Sequence, residues 1–191
     1  MKKLKYIVTF IFLALPSAYA APQAGAGMQI GMGLPYIGQG GITYQFNNSI
    51  GLQANYNVLD VSSGEASVEL TMPEILVTYH PFQGAFFLAA GVGTQSLEVT
   101  ATETLTNNSI MAEVDSATII GKLGWMWGSD DGGFWFGVDL SYIMPSGDDV
   151  KITAPGVSTS DPNYQDAVDA AEEFGETAYP NITFVRIGYI F

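Results

Sequence analysis

The residues of this chain that could do chemistry are few, and most of them stand alone. Hydrolysis and acyl transfer need a nucleophile activated by a base, most often a histidine. The only histidine is His80, which Pro81 follows directly, and no Ser or Asp partner can be assigned beside it. The chain has no cysteine, so it offers neither a thiol nucleophile nor a thiolate metal site. We therefore predict that the protein is not an enzyme.

One acidic segment, residues 128–133, has a composition that a calcium loop could use. It lacks the alternating ligand spacing and the distant bidentate Glu of such a loop, and we interpret it as a turn. Gly91 and Gly93 do not have the strand-then-helix context of a phosphate-binding loop. We expect no metal ion and no cofactor.

Four charged residues stand on the polar faces of strand-like segments: Glu74, Lys122, Asp139 and Arg186. Lys122 and Arg186 are two of the three basic residues beyond residue 20. Charges inside a protein must be paired. If their segments are strands of one barrel, the four residues form one cluster in its interior. We interpret this cluster as a polar plug, and an ion path through the barrel is the alternative.

Eight segments with alternating apolar and polar residues position these side chains. In the clearest of them, Ile50, Leu52 and Tyr56 alternate with Gln53 and Asn55. One apolar and one polar face on each segment is typical of a membrane barrel. We predict an all-β fold, an eight-stranded antiparallel transmembrane β-barrel. The segments lie near residues 26–34, 41–46, 50–58, 70–79, 85–100, 112–127, 134–142 and 181–191.

The last segment ends on an aromatic residue. One of its faces carries Thr183, Val185, Ile187, Tyr189 and Phe191, and we expect this face to meet lipid. The other face carries Ile182, Phe184, Arg186, Gly188 and Ile190. The tail resembles the assembly signal of bacterial outer-membrane barrels, in which a terminal aromatic residue follows another by two positions. The resemblance implies that the barrel-assembly machinery and periplasmic chaperones read Val185, Ile187, Tyr189 and Phe191.

The amino terminus has the pattern of an export signal. Lys2, Lys3 and Lys5 precede an apolar run over residues 6–15, and Ala18-Tyr19-Ala20 follows. A membrane-spanning helix would need roughly 20 apolar residues. We predict a cleavable signal peptide over residues 1–20 and a barrel domain over residues 21–191. All 19 acids lie beyond the leader, and this excess of negative charge argues against nucleic-acid binding.

The connections alternate in length. Short turns are predicted near 47–49, 80–84 and 128–133, and longer loops near 35–40, 60–69, 102–111 and 145–180. Bacterial barrels have short periplasmic turns, so both termini are expected in the periplasm. Ser160, Asp161 and Pro162 suit a helix start, and Gly175 suits its end. A short helix is therefore predicted in the last extracellular loop.

Aromatic residues gather near the short turns, where an interfacial girdle belongs. Trp125, Trp127 and Phe134 are the clearest members, and a platform for an aromatic ligand is the alternative. The other members are Trp135, Phe46, Phe82, Phe86 and Tyr79.

The chain resembles the small outer-membrane β-barrel superfamily. The resemblance covers the predicted signal peptide, the alternation of the strands, the aromatic girdle and the Tyr189-Ile190-Phe191 end. The members of this superfamily include the transmembrane domain of outer membrane protein A and outer membrane proteins X and W. The resemblance implies an outer-membrane location among lipid and lipopolysaccharide, and a monomer. The inward positions look more polar than those of outer membrane protein W, which disfavours transport of hydrophobic molecules.

Two functions remain open. The first is a structural or surface-interaction role, with a plugged polar lumen and acidic extracellular loops. The second is a narrow channel for small or hydrophobic solutes, gated by the helix of the 145–180 loop.

Overall fold

The structure, a computed structural model, describes residues 23–63, 66–102, 109–128, 132–153, 169 and 173–191. Each strand pairs antiparallel with the next, and β8 pairs with β1 to close the barrel. This confirms the predicted eight-stranded antiparallel barrel. Its strands are β1 (Gly25–Leu34), β2 (Gly38–Gln45), β3 (Ile50–Ser63), β4 (Ala66–Tyr79), β5 (Phe86–Thr102), β6 (Ser109–Trp127), β7 (Gly133–Thr153) and β8 (Tyr179–Ile190).

The wall of the barrel is apolar outside and largely polar inside. On β3, Ile50 and Tyr56 are exposed, whereas Gln53, Asn55 and Asn57 are buried. The same alternation holds on the other strands, so the period-two pattern assigned most faces correctly. No helix in the described part of the chain is long and apolar enough to cross a membrane.

The alternation predicted for the last strand is wrong in its first half. Met32 of β1 pairs with Val185, but the next residue, Gly33, pairs with Thr183, so Phe184 is the extra residue of a β-bulge. Thr183 therefore points inward, while Ile182 and Phe184 point outward. The bulge keeps both apolar side chains on the outer face and brings the Thr183 hydroxyl into the lumen. Beyond it, Val185, Ile187, Tyr189 and Phe191 face outward, and Arg186 faces inward.

The two ends of the barrel differ. We call the turn end the one that carries the connections 46–49, 80–85 and 128–132 together with Phe191, and the loop end the opposite one. At the turn end Gly128 and Gly132 adopt φ angles of 91° and 82°, which favour glycine. Residues 129–131 of this turn lie outside the described residues.

The described parts of the loops predicted at the loop end are mostly strand. β3 and β4 pair as far as Ser63 and Ala66, β5 and β6 as far as Thr102 and Ser109, and residues 35–37 alone join β1 to β2. β3–β7 therefore rise beyond β8, β1 and β2, and we call their ends, residues 59–63, 66–71, 95–102, 109–116 and 144–153, the raised sheet. Residues 173–176 form the short helix expected in the last loop. The other positions of the predicted helix, apart from residue 169, lie outside the described residues.

Candidate functional site

The interior of the barrel brings the four predicted charges together. Lys122 Nζ lies 2.9 Å from Glu74 Oε1 and 3.8 Å from Asp139 Oδ1, and Arg186 Nη2 lies 3.0 Å from Asp139 Oδ2. These residues come from β4, β6, β7 and β8, and none of their side chains is more than 1% exposed. We call Glu74, Lys122, Asp139 and Arg186 the charge cluster. Its two cations and two anions compensate each other, as buried charges require.

Neutral side chains complete the charge cluster. Asn55 donates a hydrogen bond to Glu74 at 2.7 Å and accepts one from Gln29. The Thr183 hydroxyl donates to Asp139 at 3.1 Å, and Arg186 Nη1 donates to Gln53 at 3.2 Å. Strand parity predicts Gln53 and Asn55 inside, but it misses Thr183 because the bulge at Phe184 reverses the face of that residue.

Aromatic rings hold Arg186 from two sides. Its Cζ lies 5.3 Å from the ring centre of Phe87 and 5.5 Å from that of Trp135, within the range of cation–π contacts. Trp135 is therefore a lumen residue, and its expected place in the outer girdle is wrong. The indole fits inside because Gly188 stands opposite Trp135 on β8, where a Cβ atom would overlap the ring.

An apolar layer crosses the lumen at the turn end. Phe87, Met126, Trp135 and Ile190 lie near the turn-end tips of β5, β6, β7 and β8, and each is at most 2% exposed. We call these four residues the turn-end layer. His80 adjoins it, with its ring centre 5.8 Å from that of Phe87. Buried apolar side chains thus occupy the lumen between the charge cluster and the turn end.

His80 is held as a neutral turn residue. Its Nδ1 lies 3.0 Å from the Gly84 carbonyl oxygen, and its Nε2 lies 3.5 Å from Gln45 Nε2. Burial lowers the pKa of His80, and this effect exceeds the opposing one of the backbone hydrogen bonds to Gly84 and Phe86. The described contacts give the His80 ring no Ser, Asp or Glu side chain as a partner.

Mild acid is expected to destabilise the barrel through His80. The unfolded chain protonates His80 near its ordinary pKa of about 6.5, whereas the folded chain resists protonation. The unfolded state therefore binds more protons below that pH, so stability is complete above about pH 6.5 and falls as the pH drops toward the lower folded pKa. We expect the urea midpoint of refolded protein to fall between pH 7.5 and pH 5. The midpoint of His80→Asn, whose side chain can still donate to Gly84, should fall less over this range. An equal fall in both proteins would show that His80 is not the cause of the acid sensitivity.

The loop end of the lumen is apolar and aromatic, contrary to the polar interior that the sequence suggested. Leu70, Met72 and Ile143 are buried there, and Tyr36 reaches in from the 35–37 connection. The Tyr36 and Tyr179 hydroxyls share a hydrogen bond of 2.6 Å, and Tyr179 donates to Gln95 at 2.8 Å. Phe174 of the short helix stacks on Tyr179 with ring centres 6.2 Å apart. We call Tyr36, Gln95, Phe174 and Tyr179 the loop-end layer.

A row of acids crosses the outer face of the raised sheet. Asp60, Glu69, Glu98 and Glu113 are direct neighbours on β3, β4, β5 and β6, and Lys151 of β7 follows Glu113. We call the four carboxylates the acidic row. Lys151 lies 4.0 Å from Asp115, and both side chains are largely exposed. The described residues form no group of three or more His, Asp or Glu side chains that could hold a metal ion.

Apart from Trp135, the predicted girdle residues lie on the outer face at the turn end. Trp127 stacks on Phe136 with ring centres 5.1 Å apart, and Phe134 meets Tyr189 at 5.0 Å. Trp125 lies 5.6 Å from Phe86 and is only 8% exposed. The terminal Phe191 is 70% exposed beside Tyr189. Aromatic rings thus surround the outer wall at this end.

Two solved structures have a similar fold. One is CarO of Acinetobacter baumannii, matched over 88% of this chain and 98% of that one, with 15% identity and a TM-score of 0.50. The other is CarO2 of the same organism, matched over 89% and 99%, with 13% identity and a TM-score of 0.52. At these identities the similarity shows the fold alone. No protein-family model and no curated protein sequence matches the chain.

Proposed function

We propose that the protein is a monomeric bacterial outer-membrane β-barrel with a closed lumen, whose role is structural or surface-interacting rather than enzymatic. The observation that carries the proposal is the wall itself, apolar outside around an interior occupied by the turn-end layer, the charge cluster and the loop-end layer. On β3 the outer face is apolar from Ile50 to Val58. That length suits a tilted membrane strand of roughly 9–11 residues. Within this class, we propose kinship with the superfamily of outer membrane proteins A, X and W.

The orientation follows from the connections. Short turns of bacterial barrels face the periplasm, so we propose that the turn end is periplasmic and that the raised sheet projects from the cell. Val185, Ile187, Tyr189 and Phe191 then present their side chains on the outer face of β8. This exposed face is what the barrel-assembly machinery and periplasmic chaperones would bind before insertion.

Planar-bilayer recording tests the closed lumen. Refolded protein is expected to insert without steady single-channel current, because the turn-end layer, the charge cluster and the loop-end layer all obstruct the lumen. Insertion is verified independently by resistance of the barrel to added protease. Steady unitary currents from inserted, unaltered protein would overturn the closed barrel and favour a channel.

A channel for small hydrophobic solutes is the second candidate. The observation that favours it is the apolar loop end, where Phe174 packs against a lining that includes Leu70 and Ile143. Displacement of Phe174, which lies in the 145–180 loop, would open this space from outside. Saturable uptake of a small hydrophobic solute into liposomes that contain the protein, faster in Phe174→Ala, would support this candidate.

We propose that divalent cations at the outer surface of the membrane bridge the acidic row to the phosphates of lipopolysaccharide. Like charges on facing strand positions destabilise a sheet, by an amount of the order of other cross-strand pairs, roughly 0.2–1 kcal/mol. Replacing Glu69, Glu98 and Glu113 by Gln should therefore raise the unfolding midpoint at low salt without divalent cations. Millimolar Mg²⁺ should raise the midpoint of the unaltered protein more than that of the variant. An equal shift in both would contradict the proposal, and Glu176→Gln, at an exposed acid outside the row, is the control.

A further inference from the structure

We propose that the turn-end layer is a second closure of the lumen, independent of the ion pair between Glu74 and Lys122, with Trp135 as its central residue. The inference rests on the closed lumen proposed above and adds where and how the turn end is sealed. Breaking that ion pair alone would then leave the turn end shut.

The layer fills its side of the barrel with side chains from four consecutive strands. Phe87, Met126, Trp135 and Ile190 belong to one buried apolar cluster. Across the lumen, Gln45 of β2 and His80, just after β4, are each 1% exposed and lie next to each other. The contact between His80 and Phe87 joins the two sides. At this level the described side chains therefore cover the cross-section.

Trp135 is fixed by glycines on β7 and β8 and by Arg186, one member of the charge cluster. Its ring lies against Gly188, where no side chain fits, and a Cβ atom at Gly137 would come within 3.3 Å of it. Arg186 covers the ring from the other side. Arg186 is held in turn by Asp139 and Gln53. Neither Glu74 nor Lys122 contributes to these contacts, so removing their ion pair leaves the position of Trp135 supported.

A cysteine reporter can test each closure separately, because the chain has no cysteine of its own. Ala89 faces inward at 7% exposure, two residues beyond Phe87 on β5 and opposite Lys122. It therefore lies beside Lys122 of the charge cluster, on the loop-end side of Phe87 in the turn-end layer. Ala89→Cys would be reconstituted in liposomes and exposed to a small membrane-impermeant thiol reagent on one side at a time. Protease cleavage of an amino-terminal tag identifies the side of the turn end.

We expect the reporter alone to be unreactive from both sides. Adding Trp135→Ala should make it react at least tenfold faster from the turn end, with no change from the loop end. Met126→Ala is a smaller change in the same layer and should act in the same direction if Trp135→Ala does not fold. Phe134→Ala, the outward neighbour, and Trp135→Phe are the matched controls and should leave the reporter protected.

The double variant Glu74→Gln/Lys122→Gln tests whether the turn-end layer stays closed without the ion pair between these two residues. With Trp135 intact, this variant should keep the reporter protected from the turn end. Reactivity from the turn end in that variant, or continued protection in both Trp135→Ala and Met126→Ala, would overturn the inference. Bilayer current from unaltered protein is a separate result, which bears on the closed lumen and not on which residues seal its turn end.

Discussion

Arg186→Ala is expected to lower the free energy of unfolding of the barrel by roughly 3–5 kcal/mol, as is typical when one partner of a buried ion pair is removed. This loss is larger than the one expected for Gly188→Ala. The substitution deletes the 3.0 Å contact with Asp139 and the hydrogen bond to Gln53. It also empties the space between Phe87 and Trp135. Asp139 would keep only the Thr183 hydroxyl and the more distant Lys122 Nζ at 3.8 Å.

Urea unfolding of detergent-refolded protein, followed by tryptophan fluorescence and by heat-modifiability on gels, measures this loss. Arg186→Lys keeps the charge but not the planar fork or its stacking, so its midpoint should lie between those of the unaltered protein and the alanine variant. Replacing both partners, as Arg186→Met with Asp139→Asn, should recover much of the stability because no charge is left unpaired. An unchanged midpoint for Arg186→Ala would refute the charge cluster as a stabilising plug.

The charge cluster could be predicted because strand parity depends only on local sequence. Glu74, Lys122 and Asp139 each sit in an uninterrupted alternating stretch, so the side chain that opposes the apolar face must enter the lumen. Arg186 was placed inside for the same reason, and its parity held because it lies beyond the bulge. Thr183, on the other side of the bulge, could not be placed by counting, since one extra residue reverses every face that precedes it. The apolar Ile182 and Phe184 flanking the polar Thr183 were the available signal.

Strand parity could not predict how far the raised sheet extends beyond β8, β1 and β2. Beyond the membrane-facing part of the wall the alternation continues with its polarity reversed. Leu59, Leu70 and Leu97 face the inside there, while their chain neighbours Asp60, Glu69 and Glu98 face out. A rule that expects an apolar outer face interprets these charges as loop residues. The reversal also explains why the interior is polar at the level of the charge cluster and apolar at the loop end. Where the outer face of the wall is apolar the inner face is polar, and where the outer face is charged the inner face is apolar.

Trp135 shows a different limit. The alternation of its strand predicts that Trp135 faces the lumen. Its position near a short turn predicts instead that it belongs to the aromatic girdle. What decides is a residue distant in the chain, Gly188, which leaves room for the indole. Such a pairing of a large side chain with a glycine across two strands depends on register, and register is fixed only once the barrel closes.

Gly188→Ala is therefore expected to destabilise the barrel severely for a substitution that adds one carbon atom. The new Cβ would overlap the Trp135 indole and has the rigid backbone of β8 behind it, so the indole must move and disturb Arg186 in turn. We expect a loss at the upper end of the roughly 1–3 kcal/mol typical of overpacked interiors. The matched control is Gly121→Ala on β6, whose Cβ would meet no atom within 4 Å and which should be neutral or slightly stabilising.

A double-mutant cycle isolates the contact between Trp135 and Gly188. Trp135→Leu alone should destabilise by leaving a cavity, but in that background Gly188→Ala has space and should cost much less than in the unaltered barrel. The two losses would then be clearly less than additive, as expected for residues in direct contact. Additive losses would show that the harm of Gly188→Ala comes from the strand backbone and that the indole does not depend on this glycine. Because Trp135 also contacts Arg186, a subadditive cycle would assign the loss in Gly188→Ala to a ring held between a glycine and a guanidinium at the turn end of the lumen.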